Sequence, residues 1–424
     1  MDAWDVVVVG GGITGLIAAA FASRAGARVL LLEGAPDLGG RARTRNTSGY
    51  RLNQGAHAFY RSGPFDEALQ DLGVEYTGNR PSLARGCFVY DNELHHACMD
   101  AEGIAATTLL SDAEKLELLS LLRRMIGGSA EVLPGTSLAE TLASLSQSSK
   151  VRSVLAAMVR LTSIVNAPEV ADGLSLLDQL RSGMTRRALY LDDGWVTLVD
   201  GLRSACLNHG ASLRSSCRVE TIEEGMPFCV KLSDGTALTA RAVVLAVNPT
   251  QADAIYPPLK DLYGTADLVP AKVACLDIGV ESLPRPNLLF ALGVDRPLYF
   301  SVHSVAARLA PEGGALIHTM RYLRPGEKLD RDHLLAELEG FIDLVQPGWR
   351  DRERARQFLP AMPAMSSIPL VARGGLTQRP LVEVRGVPGL FVSGDWVGPA
   401  GLLSDAAAAS GRHSGQAAAE FAMH

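Results

Sequence analysis

The chain has 424 residues, 47% of them apolar and 20% charged, with a formal net charge of −6. That is a globular composition with length for two or three domains, and its acidic balance argues against a nucleic-acid partner, which would want a basic face. No run of 18 apolar residues occurs, so no integral membrane segment is predicted.

Acidic residues near the start stand where a secretion signal needs basic ones, so none is expected and a cytoplasmic location is read. Cys87, Cys98, Cys206, Cys217, Cys229 and Cys275 show neither CxxC spacing nor a zinc-like histidine offset. They read as reduced, mostly buried thiols, and no metal site is predicted.

In chain order, Val6 to Val9 is a β-branched run suited to a strand buried on both faces. Gly10-Gly11-Gly12-Ile13-Thr14-Gly15 follows, then an Ala-rich helix from Leu16 to Ala25 ended by Gly26. Val29 to Leu32 is a second buried strand with Glu33 at its end. Residues 50–60 read as a strand leading to a loop, and Phe65 to Leu72 as a short helix ended by Gly73. From Ser111 to about Leu191 the chain is helix-like, with Leu116, Leu119, Leu122 and Ile126 at helical spacing, then Val151, Leu155, Met158 and Leu161. Gly194 to Leu207 reads as a helix with Leu198, Leu202 and Cys206 on one face. Short strands are expected at Val219–Ile222, Cys229–Leu232, Ala237–Leu238 and Val243–Val247, and longer ones at Lys272–Ile278 and Ala315–Met320. A helix at His333–Leu344, a buried strand at Leu390–Ser393 and an Ala-rich helix at Leu403–Phe421 complete the chain.

Gly10-x-Gly12-x-x-Gly15 with Glu33 is the dinucleotide pattern in its full setting of strand, turn, helix, strand and acid. Gly10 makes the turn, Gly12 lets the backbone approach a pyrophosphate, and Gly15 lets helix and strand pack. The helix N-terminus, at Ile13 and Thr14, favours the phosphate charge, and Glu33 is expected on the adenosine ribose. A glycine turn that holds nothing is the alternative. Two further features favour FAD over NAD. Gly39-Gly40-Arg41 permits close backbone approach and offers a cation to phosphate, or is a surface turn with a solvated arginine. Gly394-Asp395 ends a strand with an acid suited to the ribityl chain, and the helix start at Gly401-Leu402-Leu403 suits the anionic reduced ring.

These segments, VVVVGGGITGL (6–16), Glu33, GGRART (39–44), DGWVTLVDGL (193–202), VVLAVNP (243–249) and FVSGDW…GLLSDAAAASG (391–411), resemble the amine oxidase and phytoene desaturase superfamily of FAD enzymes. The resemblance spans nearly the whole length and is dense only in the FAD-binding parts. It implies an α/β fold with a discontinuous Rossmann-type FAD-binding domain (1–85, 195–255 and 380–424). An α+β substrate domain (86–194 and 256–379) carries a helical lobe at about 111–191. It implies that Val219 meets the adenine through its backbone, that Trp195 lies near the cofactor, and that the loop Gly55-Ala56-His57-Ala58 runs past the flavin ring. His57 is then a candidate base or hydrogen-bond donor, or a structural histidine bonded to backbone. Lys272 resembles the monoamine oxidase lysine near flavin N5, or is a strand lysine facing solvent.

The chain departs from the amine oxidases where Leu402 takes the place of an aromatic beside the flavin, and where 364–368 holds no aromatic. It departs from the L-amino-acid oxidases in having Ala58 where they place an arginine. The desaturase-like branch is therefore the closer resemblance. The expected reaction is hydride transfer from a C–H bond of an apolar small molecule to N5 of non-covalent FAD. No second GxGxxG follows a strand, so NAD(P)H is not expected, and oxygen or another acceptor would reoxidise the flavin. The alternatives are an amine oxidase with an atypical pocket and a non-redox isomerase or mutase. Peripheral membrane contact and oligomeric state stay open.

Overall fold

The computed structural model describes residues 3–81, 85–128, 132–186 and 188–424. They form an α/β protein around two seven-stranded sheets. In the first sheet the spatial order is Ser212–Arg214, Val29–Leu32, Ala3–Val9, Ala237–Leu245, Phe228–Leu232 and Val219–Glu223, and Leu390–Val392 adds to Ala237–Leu245. Val6 to Val9 pair in parallel with Val29–Leu32 on one side and Ala242–Leu245 on the other. All four are buried, which is why this strand is a continuous run rather than an alternation.

The helices Ile13–Arg24 and Leu403–Met423 pack together on this sheet. A Cβ on Gly415 would stand 2.3 Å from Ala18 O, and one on Gly411 2.7 Å from Thr14 O, so the helices meet backbone to backbone. That contact sets the start of the last helix beside the glycine turn, although the two are far apart in sequence.

The second sheet runs Glu353–Met365, Ala271–Val280, Ala315–Tyr322, Leu298–Val302, Phe290–Gly293, Gly86–Tyr90 and Glu93–His96. One face buries Ala274, Leu276 and Ile278 against Leu338, Phe341 and Trp349 of and beyond the helix Arg331–Val345. The other face, with Val273, Cys275 and Met320, looks toward the helices Asp112–Ile126, Leu138–Leu145, Ser149–Ser163 and Gly173–Thr185.

Several expectations are corrected. The helix-like stretch 111–191 ends in a strand, Ala188–Leu191, which pairs with Phe59–Tyr60 and Gly78–Asn79; residues 129–131 and 187 of it lie outside the described residues. The buried face of Asp112–Ile126 is Leu118, Leu121, Leu122 and Met125, while Leu116 and Ile126 are exposed. The two strands expected at 237–238 and 243–247 are one, Ala237–Leu245. Glu353–Met365 and the strands at Gly86–Tyr90, Glu93–His96, Phe290–Gly293 and Leu298–Val302 went unread in the sequence.

Candidate active site

Between the two sheets lies a cavity of about 1510 Å³, larger than the roughly 300–1,000 Å³ of an ordinary small-molecule pocket. Its first end is the glycine turn. Gly10 leaves the buried strand at φ +108. A Cβ on Gly15 would fall 1.8 Å from Gly10 O, so Gly15 is a packing glycine. A Cβ on Gly12 would meet nothing within 4 Å, so Gly12 keeps the cavity wall open. Ile13 and Thr14 start the helix at that wall.

Glu33 does more than the sequence assigns it. Its Oε2 accepts the Gly11 N–H at 2.6 Å and its Oε1 accepts the Ala35 N–H at 2.7 Å. The carboxylate therefore shapes the turn first and also lines the cavity, with lone pairs beyond those two bonds. Val219 lines the same end.

Gly39 and Gly40, both at positive φ, carry Arg41 to the cavity. Arg41 is also paired within the protein: its Nη1 donates to Asp395 Oδ2 at 2.8 Å and to Ala364 O at 2.9 Å. Asp395 follows Gly394 at the end of a buried strand, and its Oδ1 is buried without a partner among the described residues. Burial works to raise this carboxyl, and the charge and hydrogen bond of Arg41, with a bond from Ser366, outweigh it, so the group stays below the ordinary aspartate value.

Of the residues singled out in the sequence, Gly15, Gly55 and Gly401 do not line the cavity; the others do. Gly55, at φ +96, leaves room for Met362, whose Sδ would be 2.1 Å from a Cβ there. Ala56 and His57 then cross the cavity wall. The His57 Nδ1–H donates to Gly55 O at 2.9 Å, and its ring lies 4.6 Å from that of Trp195. Burial lowers the His57 pKa to about 4, so the ring is neutral at pH 7. Trp195 begins its helix with N–H donated to Asn53 Oδ1 at 3.1 Å, and its indole Nε1 has no partner among the described residues. Lys272 is exposed and lines the cavity.

The second end of the cavity is walled by Met158, Leu161, Leu180, Met184, Phe290, Met320, Met362 and Leu402. Leu402 and Ala364 stand at the wall without an aromatic, as the sequence reading has them, yet aromatics reach it from elsewhere as Tyr60, Tyr190 and Tyr299. Arg186 and Asp405, both at this end, are spent on one another at 2.5 Å.

Sequence reasoning missed a polar cluster in the wall formed by the second sheet. His318 Nδ1 lies 2.5 Å from Asp277 Oδ1, Tyr190 Oη 2.8 Å from Tyr299 Oη, and the His303 ring stacks on Tyr190 at 3.9 Å. His303 is held well below the ordinary imidazole value by burial and by its neighbours His318 and His57. Asp277 and His318 come from separate strands, and no local spacing announces their meeting.

The profile of a family described as flavin containing amine oxidoreductase matches residues 13–271, more than half of the chain. The chain is similar to (S)-6-hydroxynicotine oxidase of Paenarthrobacter nicotinovorans, 48% identical over 128 residues that cover 27% of this chain and 30% of that protein. It is similar to one subunit of the limonene dehydrogenase of Castellaniella defragrans, 37% identical over 113 residues that cover 26% of this chain and 18% of that protein. The matches thus span less than a third of either relative's own length. Cyclohexylamine oxidase from Brevibacterium oxydans shares the fold, with a TM-score of 0.71 at 17% identity over 99% of each chain. With a family match over more than half its length and the fold to go with it, the chain belongs to the flavin-containing amine oxidoreductases and is an FAD-dependent oxidoreductase.

Proposed function

We propose that the enzyme dehydrogenates an apolar organic small molecule, and that the observation carrying this is the far end of the cavity. Its wall there is largely methionine, leucine and phenylalanine, with Tyr60, Tyr190, Tyr299, His303 and His318 as its polar side, and the charges of Arg186 and Asp405 neutralise one another. A largely apolar wall whose charges are paired selects by shape and desolvation more than by charge. FAD, when bound, supplies the acceptor for a hydride from the substrate.

The residues suit that cofactor: the partnerless Asp395 Oδ1, the open space over Gly12 and the volume of the cavity are what a dinucleotide would fill. Gly10, Gly12, Ile13, Thr14 and Arg41 would hold the pyrophosphate region, Glu33 the ribose and Val219 the adenine. Gly394 and Asp395 would hold the ribityl chain, and Ala56, His57, Leu402 and Leu403 would border the ring. The last helix has no side-chain cap at Leu402, leaving its first N–H groups for a negative charge. The proposed division of FAD and substrate domains is supported by the two sheets, each of which draws its strands from one set of segments. Oxygen or another acceptor would then reoxidise the flavin.

A second reading, an amine oxidase with an unusual pocket, is favoured by the cavity position of Lys272 and by the hydroxynicotine oxidase similarity. Anaerobic absorbance titration with limonene, 6-hydroxynicotine and cyclohexylamine separates the two. Bleaching by the hydrocarbon supports the apolar reading. Bleaching by the amines alone, with loss of rate in Lys272→Met, supports the second.

A further inference from the structure

We propose that His318, oriented by Asp277, is the catalytic base that takes the substrate's proton; the inference rests on the dehydrogenation reading. Asp277 and His318 are register partners on the antiparallel strands Ala271–Val280 and Ala315–Tyr322, in the middle of the second sheet. They are 3% and 2% exposed. The Asp277 carboxylate is held from both sides: Oδ1 by the His318 Nδ1 contact at 2.5 Å, and Oδ2 by Gln357 Nε2, which donates at 2.9 Å. Gln357 is itself fixed by donating to Asn53 O at 2.7 Å.

An ionised carboxylate only accepts hydrogen bonds, so the proton of a neutral His318 sits on Nδ1 and the lone pair on Nε2. That Nε2 is buried with no hydrogen-bond partner among the described residues, while the side chain lines the cavity. A buried polar atom without a partner calls for a reason, and here the absent partner is a ligand group in the cavity. The groups that face His318 from neighbouring elements do not compete. His303, 4.9 Å away ring to ring, and Tyr299 are turned to one another, Nε2 to Oη at 3.4 Å. Tyr299 also bonds Tyr190, and His57 is committed to Gly55 O. Burial keeps His57 and His303 neutral.

The reaction needs such a group. Forming a double bond removes two hydrogens. One leaves with its electron pair to the flavin, the oxidant that the family supplies. The other leaves its bonding pair behind as the new π bond and departs as a proton to Nε2. The imidazolium so formed faces the Asp277 carboxylate, which stabilises it, in the manner of an acid–base dyad. Asp277 is thus a positioning residue.

The test has two parts. Nitrogen-15 NMR of histidine-labelled, FAD-loaded protein without substrate should show Nδ1 of His318 protonated and Nε2 bare at pH 8, and Asp277→Asn should mix the tautomers. Rapid-mixing flavin reduction, with the panel compound that bleaches the wild type, should fall 10²–10⁴-fold in His318→Gln with FAD retained. Asp277→Asn should slow it as well, with FAD retained, because the imidazole is no longer held with Nε2 bare. Free imidazole should partly restore the rate of His318→Ala, which separates a missing base from a damaged fold. A protonated Nε2 at pH 8, an unchanged rate in His318→Gln, or no imidazole rescue would overturn the proposal. Failure of every compound to bleach the wild type would instead strike the dehydrogenation reading on which it rests.

Discussion

Arg41 Nη1 lies 2.8 Å from Asp395 Oδ2, although the two residues are 354 positions apart. The pair ties the glycine-rich turn after the second strand to the acid that ends the last strand. Asp395 is almost fully buried, whereas the Arg41 side chain is 42% exposed at the cavity. One carboxylate oxygen takes Arg41 and the Ser366 N–H, and the other is left for a ligand.

Arg41→Ala should therefore cost stability as well as FAD. An uncompensated buried charge costs about 3–5 kcal/mol, and solvent at Arg41 brings this toward about 2 kcal/mol. The pH dependence has a defined sign. With Arg41 present the folded carboxyl lies below its unfolded value near 3.9, so its contribution is full above that value and fades as pH falls through the folded pKa. Without Arg41, burial alone raises the group, and the charged form is penalised above pH 4. Thermal unfolding of apoprotein should show the gap between wild type and Arg41→Ala wide at pH 7 and narrower at pH 4. A gap that does not change with pH would remove the ion pair as its cause.

Gly12 and Gly15 should behave oppositely when replaced by alanine. Gly12 has φ −75 and open space at its Cβ position, so Gly12→Ala should fold with a melting temperature near wild type. Its new methyl would project into the cavity and block close approach of phosphate, so FAD affinity should drop at least tenfold. Gly15→Ala would push a methyl into the Gly10 carbonyl, a backbone atom that cannot turn aside, and should yield little folded protein. Circular dichroism and FAD fluorescence quenching read the two effects separately.

Acid should weaken the protein through its buried imidazoles. The His57 pKa is lowered to about 4 and that of His303 lies well below 6.5. Between about pH 6.5 and pH 4 the unfolded chain binds protons that the folded chain refuses, so the contribution is complete above pH 6.5 and lost as pH falls. For His57 this amounts to at most about 3 kcal/mol. Substituting His57→Asn should flatten the decline in melting temperature over that window, and so should His303→Asn. Parallel curves for wild type and variants would show that other groups set the acid limit.

The parts of the fold legible in the sequence are those whose signal is local. The run Val6–Val9, the glycine turn and Glu33 carry strand, turn and acid within about thirty residues, so the first unit could be read whole. Glu353–Met365 could not, because Pro360 and Pro363 interrupt it. The sheet accepts them because this strand lies at its edge, where a missing N–H breaks no inner ladder. In Asp112–Ile126, leucines occur on more than one side of the helix, and only packing against the neighbouring helices decides that Leu118 and Met125 are inside while Leu116 is not. Thr239 to Ala242 hid the continuity of Ala237–Leu245, which its pairing with Ala3–Val9 supplies. The Asp277–His318 pair depends on antiparallel register between two strands, and register is not written at either residue.

Leu402 offers a test of the cavity wall itself. It stands immediately before the last helix, is 2% exposed, and packs within the apolar cluster of the helical side of the second sheet. Leu403 beside it has φ +55, a conformation that a branched side chain adopts only when its surroundings hold it there, so the wall at this point is fixed in position. Leu402→Tyr adds a ring and a hydroxyl to a filled site, at about 1–3 kcal/mol of overpacking. It should still bind FAD, since the adenine and pyrophosphate groups are untouched and only the border of the ring changes, and lower flavin reduction by limonene at least tenfold because the bulk enters the apolar end. If the second reading holds, reduction by cyclohexylamine should fall less, because an aromatic at this position is what the amine oxidases have. Unchanged reduction by every panel compound would take Leu402 out of the substrate wall and leave its leucine a matter of packing alone.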